Sequence, residues 1–391
     1  MPIGHFLTHP PLAPLRIGVL HALTGENGII EAPLVDAVRL AVEETNAQGG
    51  VMGRQLELIV VDSQSDDARA AIEAERLFTR EKICVLFACG TSSCRKAVKP
   101  VVERHDQLMF YPVRYEGMEE SSNIIYTGAV PNQQVIPGVQ WAMEQFGKRI
   151  CLAGSSPVFS RTANLIMHDL ISLGGGAILN EHSPPDKRFD AAAIVAEIVR
   201  HKPDVLLNTL VGEHNGLLFS ALEHNGLADL PVVSFGVTET ELQVWGGSQL
   251  TRHYGVWSYF QSLPEERNQR FVATFKARYG DERVTSAPIE AAYVSLLLWV
   301  NAVRNENSCD PRRLKYSINR QSVPSPSGIA TLDSISHHLW KTMRVGHVQP
   351  DGQFKQVFAS KYPLRPFPWP INHTPQEWRI MMATTGKKEP P

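Results

Sequence analysis

Short runs of β-branched and aliphatic residues alternate along the chain with longer segments of helical periodicity. Residues 16–23, 56–62 and 85–89 are apolar runs typical of buried strands. The segments that follow them repeat apolar residues three and four positions apart, which indicates amphipathic helices. This alternation predicts βαβ units around parallel sheets, and therefore an α/β fold.

The alternation occurs twice. A first sheet is predicted from strands at 16–23, 56–62, 85–89, 108–111 and 124–127. A second sheet is predicted from strands at 149–153, 177–181, 205–210, 232–235 and 254–259. Between the strands, helices are predicted from about Pro33, at 66–80 and at 93–105 in the first half, and at 161–174, 189–201 and 214–226 in the second. Helices predicted at 265–280 and 287–306 need a sheet to cover, so we expect the chain to return to the first sheet. Pro350-Asp351-Gly352 then predicts the turn of a late β-hairpin.

A chain of 391 residues favours two domains. We expect two Rossmann-like parallel-sheet lobes that face each other across a cleft and are joined by a three-stranded hinge. The first lobe is predicted at 15–130 plus 262–327, and the second at 131–261 plus 328–370. Residues 1–14 and 379–391 are predicted to be loose termini.

Composition excludes several classes of protein. Charged residues make up 20% of the chain and the formal net charge is −2, with basic residues scattered, which argues against a nucleic-acid or membrane surface. No apolar run approaches the roughly 20 residues that span a bilayer. The first residues lack the pattern of a signal peptide. We therefore expect a cytoplasmic protein, or a periplasmic one if a signal peptide is missing from this sequence.

Cysteine and histidine patterns give little sign of a metal site or a catalytic site. The five cysteines are odd in number, so we expect buried thiols and no disulfide framework. The pair His337-His338 has no evident third ligand and is predicted to lie on the surface. Motifs for nucleotide binding or nucleophilic catalysis are missing at the strand–helix junctions. We predict a binding protein without metal or cofactor; an amide hydrolase that uses Cys89 or Cys94 is the enzymatic alternative.

Candidate ligand contacts are the residues that follow each strand, because ligands bind at the carboxyl ends of parallel strands. In the first lobe these are Thr24, Thr91, Ser92, Ser93, Tyr111, Val113 and Arg114. In the second lobe they are Pro157, Phe159, Thr209, Glu213 and Glu239.

Three of these candidates have structural alternatives. Ser93 fits equally the N-cap of the helix that follows it. Glu213 either faces the ligand, which would then be an amine or amidine, or stands at a surface helix N-terminus. Glu239 is expected at the edge of the cleft or at the hinge.

Two long segments carry a family resemblance. The run RIGVLHALTG with AVEETNAQGGVMGRQLELIVVDSQSD resembles type I periplasmic binding proteins of the branched-chain amino acid receptor group. The segment RKAVKPVVERHDQLMFYPVRYEGMEESSNIIYTGAVPNQQ resembles one branch of that family, which contains the amide receptor (AmiC) and urea-binding receptors. The late segment RPFPWPINHTPQEW resembles the C-terminal part of the amide receptor.

The resemblance implies a ligand sensor for a small amide- or urea-like molecule. Such a sensor regulates amidase-type genes through an antiterminator protein and forms no direct nucleic-acid contact. Both a monomer and a homo-oligomer are compatible with this role. The alternative is the substrate-binding component of an ABC transporter for urea, short amides or branched-chain amino acids. Tyr111 corresponds to a ligand-contacting tyrosine of the family. Arg114 stands where the amide receptor has proline, so we expect it either to face solvent or to change the ligand. Pro157 and Phe159 stand where both branches have tyrosines, so we expect an altered ligand.

Overall fold

The computed structural model describes residues 12–155, 158–183 and 189–385.

The first sheet contains five parallel strands. The strands are β1 (Leu15–His21), β2 (Leu56–Asp62), β3 (Val85–Ala88), β4 (Met109–Tyr111) and β5 (Ile124–Tyr126). Their order is β2-β1-β3-β4-β5, and every pairing is parallel. Every residue of β3, β4 and β5 is buried, as expected for a parallel sheet covered on both faces.

Three helices connect these strands. They are α1 (Gly28–Ala47), α2 (Asp67–Arg76) and α3 (Ser92–Arg104). Helix α1 begins ahead of the start that we predicted at Pro33. The Asp66 carboxylate caps α2 by accepting from the amide of Arg69. One wider π-helical turn, Leu77–Glu81, then completes the helical segment that the periodicity predicts up to residue 80.

The second half of the chain repeats the alternation. Its elements are α4 (Val135–Phe146), β6 (Arg149–Ala153), α5 (Val158–Leu173), β7 (Ala177–His182), α6 (Ala191–His201), β8 (Val205–Asn208), α7 (His214–His224), β9 (Val232–Ser234), α8 (Glu239–Trp245) and β10 (His253–Trp257). Five parallel strands lie in the order β10-β9-β8-β6-β7. The helices predicted at 161–174, 189–201 and 214–226 are confirmed as α5, α6 and α7. Helices α4 and α8 were not predicted.

The chain then returns to the first lobe. The elements are α9 (Glu266–Tyr279), α10 (Ala287–Glu306), α11 (Pro311–Ser317), β11 (Ser322–Ser325) and β12 (Gly328–Thr331). Helix α10 packs against α1 and β4, which confirms the predicted return. Strand β12 pairs with β11, and β11 packs on α10. Residues 328–331 therefore lie with the first lobe, although the sequence assigned them to the second; the other domain boundaries stay predictions.

The last elements complete the second lobe. They are β13 (Arg344–Val348), β14 (Phe354–Ala359) and α12 (Pro375–Thr385). Strand β13 pairs antiparallel with β10 and with β14, which confirms the hairpin predicted around residues 350–352. Helix α12 continues through residues 379–385, and Met381 and Met382 pack against the core that contains Trp378, so the prediction of a loose tail is wrong for this part of the chain.

The chain passes between the two lobes three times: after β5, after β10, and between β12 and β13. The two lobes can therefore move relative to each other only about these connecting segments and the C-terminal segment. None of the helices in the described ranges is long and apolar enough to cross a membrane.

Candidate functional site

The carboxyl ends of the parallel strands in the two lobes face each other across a cleft. Helix α3 follows β3 and contacts α5, which follows β6 in the other lobe. Arg114, in the loop after β4, reaches the carbonyl of Phe235, which follows β9. Ligands of open parallel sheets bind at these strand ends. The cleft between the lobes is therefore the candidate site.

The first turn of α3 forms part of the first-lobe wall. Thr91 is its N-cap, and the Thr91 hydroxyl accepts from the amide of Cys94 at 3.1 Å. Ser93 is exposed, with its hydroxyl 3.2 Å from that of Thr91. The alternative interpretation of Ser93 as the N-cap is therefore wrong. Thr91 thus satisfies one of the amides that a helix start leaves without an intrahelical partner.

The Ser92 hydroxyl belongs to a buried ion network. It donates to the Glu116 carboxylate at 2.5 Å and accepts from Arg95 at 3.2 Å. Arg95 also donates to Glu116 and to Glu119, both at 3.0 Å, and its side chain is 0% exposed. Burial opposes the charge of Arg95, but the neighbouring carboxylates hold its pKa well above the usual value. The Ser92 hydroxyl proton is thus already donated to Glu116, and the predicted ligand contact of Ser92 stays a prediction.

Tyr111 offers an unused hydroxyl. Its side chain is 0% exposed; Ser92 lies close enough to the hydroxyl to lower its pKa, but within the described residues the hydroxyl forms no hydrogen bond of normal geometry. Arg95 lies over the ring, with its guanidinium carbon 4.8 Å from the ring centroid. Burial raises the pKa of Tyr111 to about 12, while nearby Arg95 and Arg114 lower it. The hydroxyl is therefore protonated at neutral pH, and the ligand role of Tyr111 stays a prediction.

Arg114 crosses the cleft from the first lobe to the second. Its Nε donates to the Phe235 carbonyl at 2.5 Å. Its guanidinium carbon lies 4.2 Å from the ring centroid of Phe159 and 5.3 Å from that of Trp257. Desolvation lowers the pKa of Arg114, although an arginine remains charged at any physiological pH. The structure therefore places the Arg114 side chain in the cleft between the lobes and not on the outer surface.

Two aromatic rings form the second-lobe wall. Phe159 lies in the first turn of α5 and is buried. Trp257 is the last residue of β10, and its indole N–H donates to the Val237 carbonyl at 2.6 Å, which fixes the ring. The sequence missed Trp257 because the predicted strand continued to residue 259. Pro157, another predicted contact, lies outside the described residues.

Two other second-lobe candidates are already engaged or exposed. The buried Thr209 hydroxyl lies 2.9 Å from Asn164 Oδ1 and 3.2 Å from the Ala153 carbonyl, both within its own lobe. Glu213 is exposed at the start of α7, in accord with the interpretation as a surface helix terminus. Ligand roles for both residues stay predictions.

Glu239 lies where the chain leaves the second lobe. Its carboxylate accepts from the amide of Gln261 at 2.8 Å, and the side chain is buried. The second carboxylate oxygen has no partner in the described ranges. Burial raises the pKa of Glu239 to about 8, because the charged form is poorly solvated. This position agrees with the expected place at the hinge.

Thr24 and Val113 complete the predicted set. Thr24 is exposed and donates from its hydroxyl to Asp62 at 2.7 Å. Val113 is buried in the loop between Tyr111 and Arg114. Neither position shows a free polar side-chain group that points to a ligand, so both remain predicted contacts.

A disulfide bond joins Cys89 and Cys94. It links the residue after β3 to the first turn of α3 and so encloses the loop that carries Thr91 and Ser92. The prediction of buried thiols is wrong for this pair and confirmed for Cys151; Cys84 and Cys309 are free thiols but only half-buried. The disulfide also leaves neither Cys89 nor Cys94 as the free thiol that the enzymatic alternative requires.

His338 is not a surface residue, which corrects the prediction for that histidine. Its ring stacks on Tyr126 at 4.3 Å between centroids, and its Nε2 lies 2.6 Å from the Tyr115 hydroxyl. Burial lowers the pKa of His338 to about 3, so the ring is neutral. Within the described residues, no cluster of three or more His, Cys, Asp or Glu side chains could hold a metal ion.

A protein-family model covers most of the chain. The model is described as a periplasmic binding protein domain and matches residues 15–375. The match includes both sheets and the return helices α9 and α10.

Solved structures share the fold. A solute-binding protein of an ABC transporter from R. palustris, solved with 4-hydroxybenzoate, has a TM-score of 0.81 at 20% identity over 90% of this chain and 98% of that one. The branched-chain amino acid transporter substrate-binding protein LivJ from Streptococcus pneumoniae, solved with isoleucine, has a TM-score of 0.78 at 18% identity over 88% of this chain and 98% of that one. These identities support the fold alone.

Curated relatives match only in part. A Leu/Ile/Val-binding protein homolog 7 from Brucella suis is 34% identical over 89 residues, which are 23% of this chain and 22% of that protein. A protein named limonene hydroxylase from Geobacillus stearothermophilus is 31% identical over 149 residues, 37% of this chain and 27% of that protein. The chain thus spans about a quarter of the length of each of these relatives.

Proposed function

The chain belongs to the periplasmic binding protein family, and on that premise we propose that it is a receptor that closes its two lobes around a small solute. The proposed role is the solute-binding component of an ABC transporter, without a catalytic step. The observation that carries the proposal is Arg114, a first-lobe residue whose guanidinium lies among second-lobe groups at the strand ends. Both lobes thus meet where open parallel sheets bind their ligands.

Closure follows from differential contacts. Each lobe supplies only part of the polar and apolar surface, so the solute gains its full set of contacts only in the closed form. A ligand shifts such an equilibrium by the difference between its affinities for the two forms. A difference of about 1.4 kcal/mol, close to the net value of one hydrogen bond, shifts the open–closed ratio about tenfold.

Small amino acids and aromatic acids are the proposed solutes. Structures with the same fold were solved with 4-hydroxybenzoate and with isoleucine. The rings of Tyr111, Phe159 and Trp257 offer this chain flat apolar walls for an aromatic or branched body.

A sensor of short amides or urea that acts through an antiterminator is the second candidate. It is supported by the resemblance of residues 365–378 to the amide receptor, and by the way this segment contacts both lobes. The Pro368 carbonyl accepts from the amide of Met118, and His373 lies 2.9 Å from Asp169. A segment in contact with both lobes is suited to report their closure to a partner protein.

Thermal unfolding of the full chain against a ligand panel tests the proposal. The panel contains aromatic acids, branched-chain amino acids, short amides, urea and amidines. A ligand that binds only the folded state adds about 2.7 kcal/mol at about a hundred times its dissociation constant. Stabilisation by an acid, confirmed by calorimetric titration, supports the solute receptor. Stabilisation by amides or urea alone favours the sensor, and no stabilisation by any member contradicts both.

The two candidates also differ in cellular location. The transporter component is expected in the periplasm, and the amidase regulator in the cytoplasm. Fractionation of cells that express the natural gene, followed by immunodetection, separates these cases.

A further inference from the structure

Two free thiols of the first lobe lie in contact. Cys84 directly precedes β3, and Cys309, which lies 225 residues further along the chain, stands between α10 and α11. The Cys84 thiol donates to Cys309 Sγ, and 3.5 Å separates the two sulfur atoms. A disulfide bond is about 2.05 Å long, so the sulfur atoms need to approach each other by only about 1.5 Å.

Backbone hydrogen bonds hold both segments in place. The amide of Cys84 donates to the Arg16 carbonyl at 2.8 Å. Beside Cys309, the amide of Ser308 donates to the Val303 carbonyl at 3.3 Å. The entropy of bringing these distant segments together is therefore lost when the first lobe folds, and the two thiols meet at a high effective concentration.

The two thiols differ in acidity. The hydrogen bond from Cys84, together with nearby Arg54, lowers the pKa of Cys309, while the same hydrogen bond raises the pKa of Cys84. Arg54 is held beside the pair by the carbonyls of Ala13 and Pro14. Because the thiolate is the form that attacks a disulfide, Cys309 is the nucleophile of the pair.

The remaining free thiol provides a contrast. Cys151 is buried in the second lobe, and burial raises its pKa to about 11. Cys84 and Cys309 are only half-buried, so part of each side chain meets solvent. Accessibility, a partner thiol and a stabilised thiolate thus occur together only at this pair among the free thiols of the described residues.

We propose that Cys84 and Cys309 form a reversible oxidation site, which a small disulfide such as oxidised glutathione converts into a second disulfide of the first lobe. The Cys309 thiolate attacks one sulfur of the small disulfide, whose bond breaks and releases a thiolate. Cys84 then loses its proton and attacks Cys309 Sγ, which forms the new bond and releases the second thiolate. The proton passes to a released thiolate, and two electrons pass from the cysteine pair to the small disulfide.

The new bond would lie away from the cleft. Cys84 stands at the amino end of β3, whereas the cleft lies at the carboxyl ends of the strands. The link therefore stabilises one lobe without restricting the rotation of the two lobes. An oxidising compartment favours the bond and a reducing one the free thiols. The inference goes beyond the proposed solute receptor and does not depend on which solute the cleft binds.

Peptide mapping tests the inference. The full chain, with Cys84 and Cys309 reduced, is incubated with oxidised glutathione near neutral pH, alkylated and digested with trypsin. Cleavage after Lys and Arg places Cys84 in the peptide 83–95 and Cys309 in the peptide 305–312. We expect mass spectrometry to find these two peptides joined in wild type and separated by a thiol reductant. C84S and C309S should give no joined peptide, and the control C151S should give it at the wild-type rate.

The single variants also test the two roles. C84S should accumulate glutathione on Cys309, because the second thiol of the pair is missing. This reaction should be at least about tenfold faster than the addition of glutathione to Cys84 in C309S, because Cys309 is the thiolate of the pair. Circular dichroism establishes that each variant folds, and C84A and C309A replace the serine variants if these do not.

Thermal unfolding measures the consequence of the bond. Oxidation should raise the midpoint of wild type by about 5 °C, because the bond closes a long loop. C84S keeps Cys89 and Cys94, and the same treatment should shift its midpoint by less than about 1 °C.

Different failures are distinguishable. A wild type that gives no joined peptide contradicts the pairing, whether or not Cys309 takes up glutathione. Joined peptides in C84S would mean that Cys309 pairs with Cys89 or Cys94, since both lie in the peptide 83–95. A disulfide-linked dimer on non-reducing electrophoresis would mean that the bond forms between two copies. Each of these results overturns the inference and leaves the solute receptor intact, whereas failure of the ligand panel affects only the receptor.

Discussion

The two walls of the cleft are built from different chemistry. The first-lobe wall is held by a buried ion network in which Arg95 pairs with Glu116 and Glu119. The second-lobe wall consists mainly of Phe159 and Trp257. The comparison shows that buried charged side chains stabilise the first-lobe wall, whereas aromatic rings form most of the second-lobe wall. Arg114 is the residue that joins these two kinds of surface.

This difference has a consequence for stability. The first-lobe network lies next to the cleft but is satisfied within its own lobe, so it persists whether the cleft is open or closed. The contacts of Arg114 with Phe159 and Phe235 exist only when the lobes approach each other. Substitutions should therefore separate the stability of a single lobe from the free energy of closure.

The largest effect is expected from R95M. Removing this fully buried cation leaves the buried Glu116 and the nearby Glu119 without their main partner, which typically costs about 3–5 kcal/mol. Urea unfolding measures the loss. The control is R16M, in the same lobe, whose pair with Glu57 is exposed and should contribute less than about 1 kcal/mol.

The double variant R95M/E116Q should recover part of the loss, because the uncompensated charge on Glu116 is then removed. Equal stability of R95M and R16M would show that the network does not hold the first-lobe wall.

A smaller loss is expected when the Cys89–Cys94 disulfide is reduced. The bond closes a short loop, with a sequence separation of 5, so its entropic contribution is about 2 kcal/mol. Urea unfolding with and without a thiol reductant measures the difference. The C89S/C94S variant is the control and should not respond to the reductant; wild-type stability that is the same in both conditions contradicts the prediction.

The contact between Arg114 and Phe159 should give a coupling energy of about 1 kcal/mol. A double-mutant cycle with R114M, F159L and the combined variant measures it by urea unfolding. A coupling energy of zero would mean that the two lobes do not meet through this pair in solution.

The last prediction concerns Glu239 and the dependence of stability on pH. Because the folded-state pKa of Glu239 is raised to about 8, the folded protein holds a proton that the unfolded chain has already released. The free energy of unfolding should therefore fall as pH rises from the ordinary carboxyl range through about 8. E239Q should reduce this fall when thermal unfolding is followed at several pH values. The control E213Q changes an exposed carboxylate and should keep the wild-type slope; the same slope in E239Q would contradict the prediction.

Much of the fold follows from the sequence because strand and helix periodicities are local. Strands β2 and β6 occur at their predicted bounds, and the return of α10 to the first lobe follows from its need for a sheet to cover. Helix α8 was not predicted because it is short. Strand β12 was assigned to the wrong lobe because its partner strand is set by packing rather than by local pattern.

The site was predicted less completely. The rule that ligands bind after strand ends named Tyr111, Arg114 and Phe159, which the structure places at the strand ends beside the cleft, but an overlong predicted strand hid Trp257. The pairing of Arg95 with Glu116 depends on how two separate loops meet, so no local pattern reveals it. The burial of His338 depends in the same way on its stacking against Tyr126.

The central claim, that the lobes close around a solute, is tested most directly by small-angle X-ray scattering of the full chain. The measurement is made without ligand and with a saturating amount of the solute that the panel identifies. The account predicts a smaller radius of gyration with the solute, and a weaker response in R114M at the same fractional occupancy. A scattering curve that is unchanged when calorimetry shows the solute bound would contradict closure.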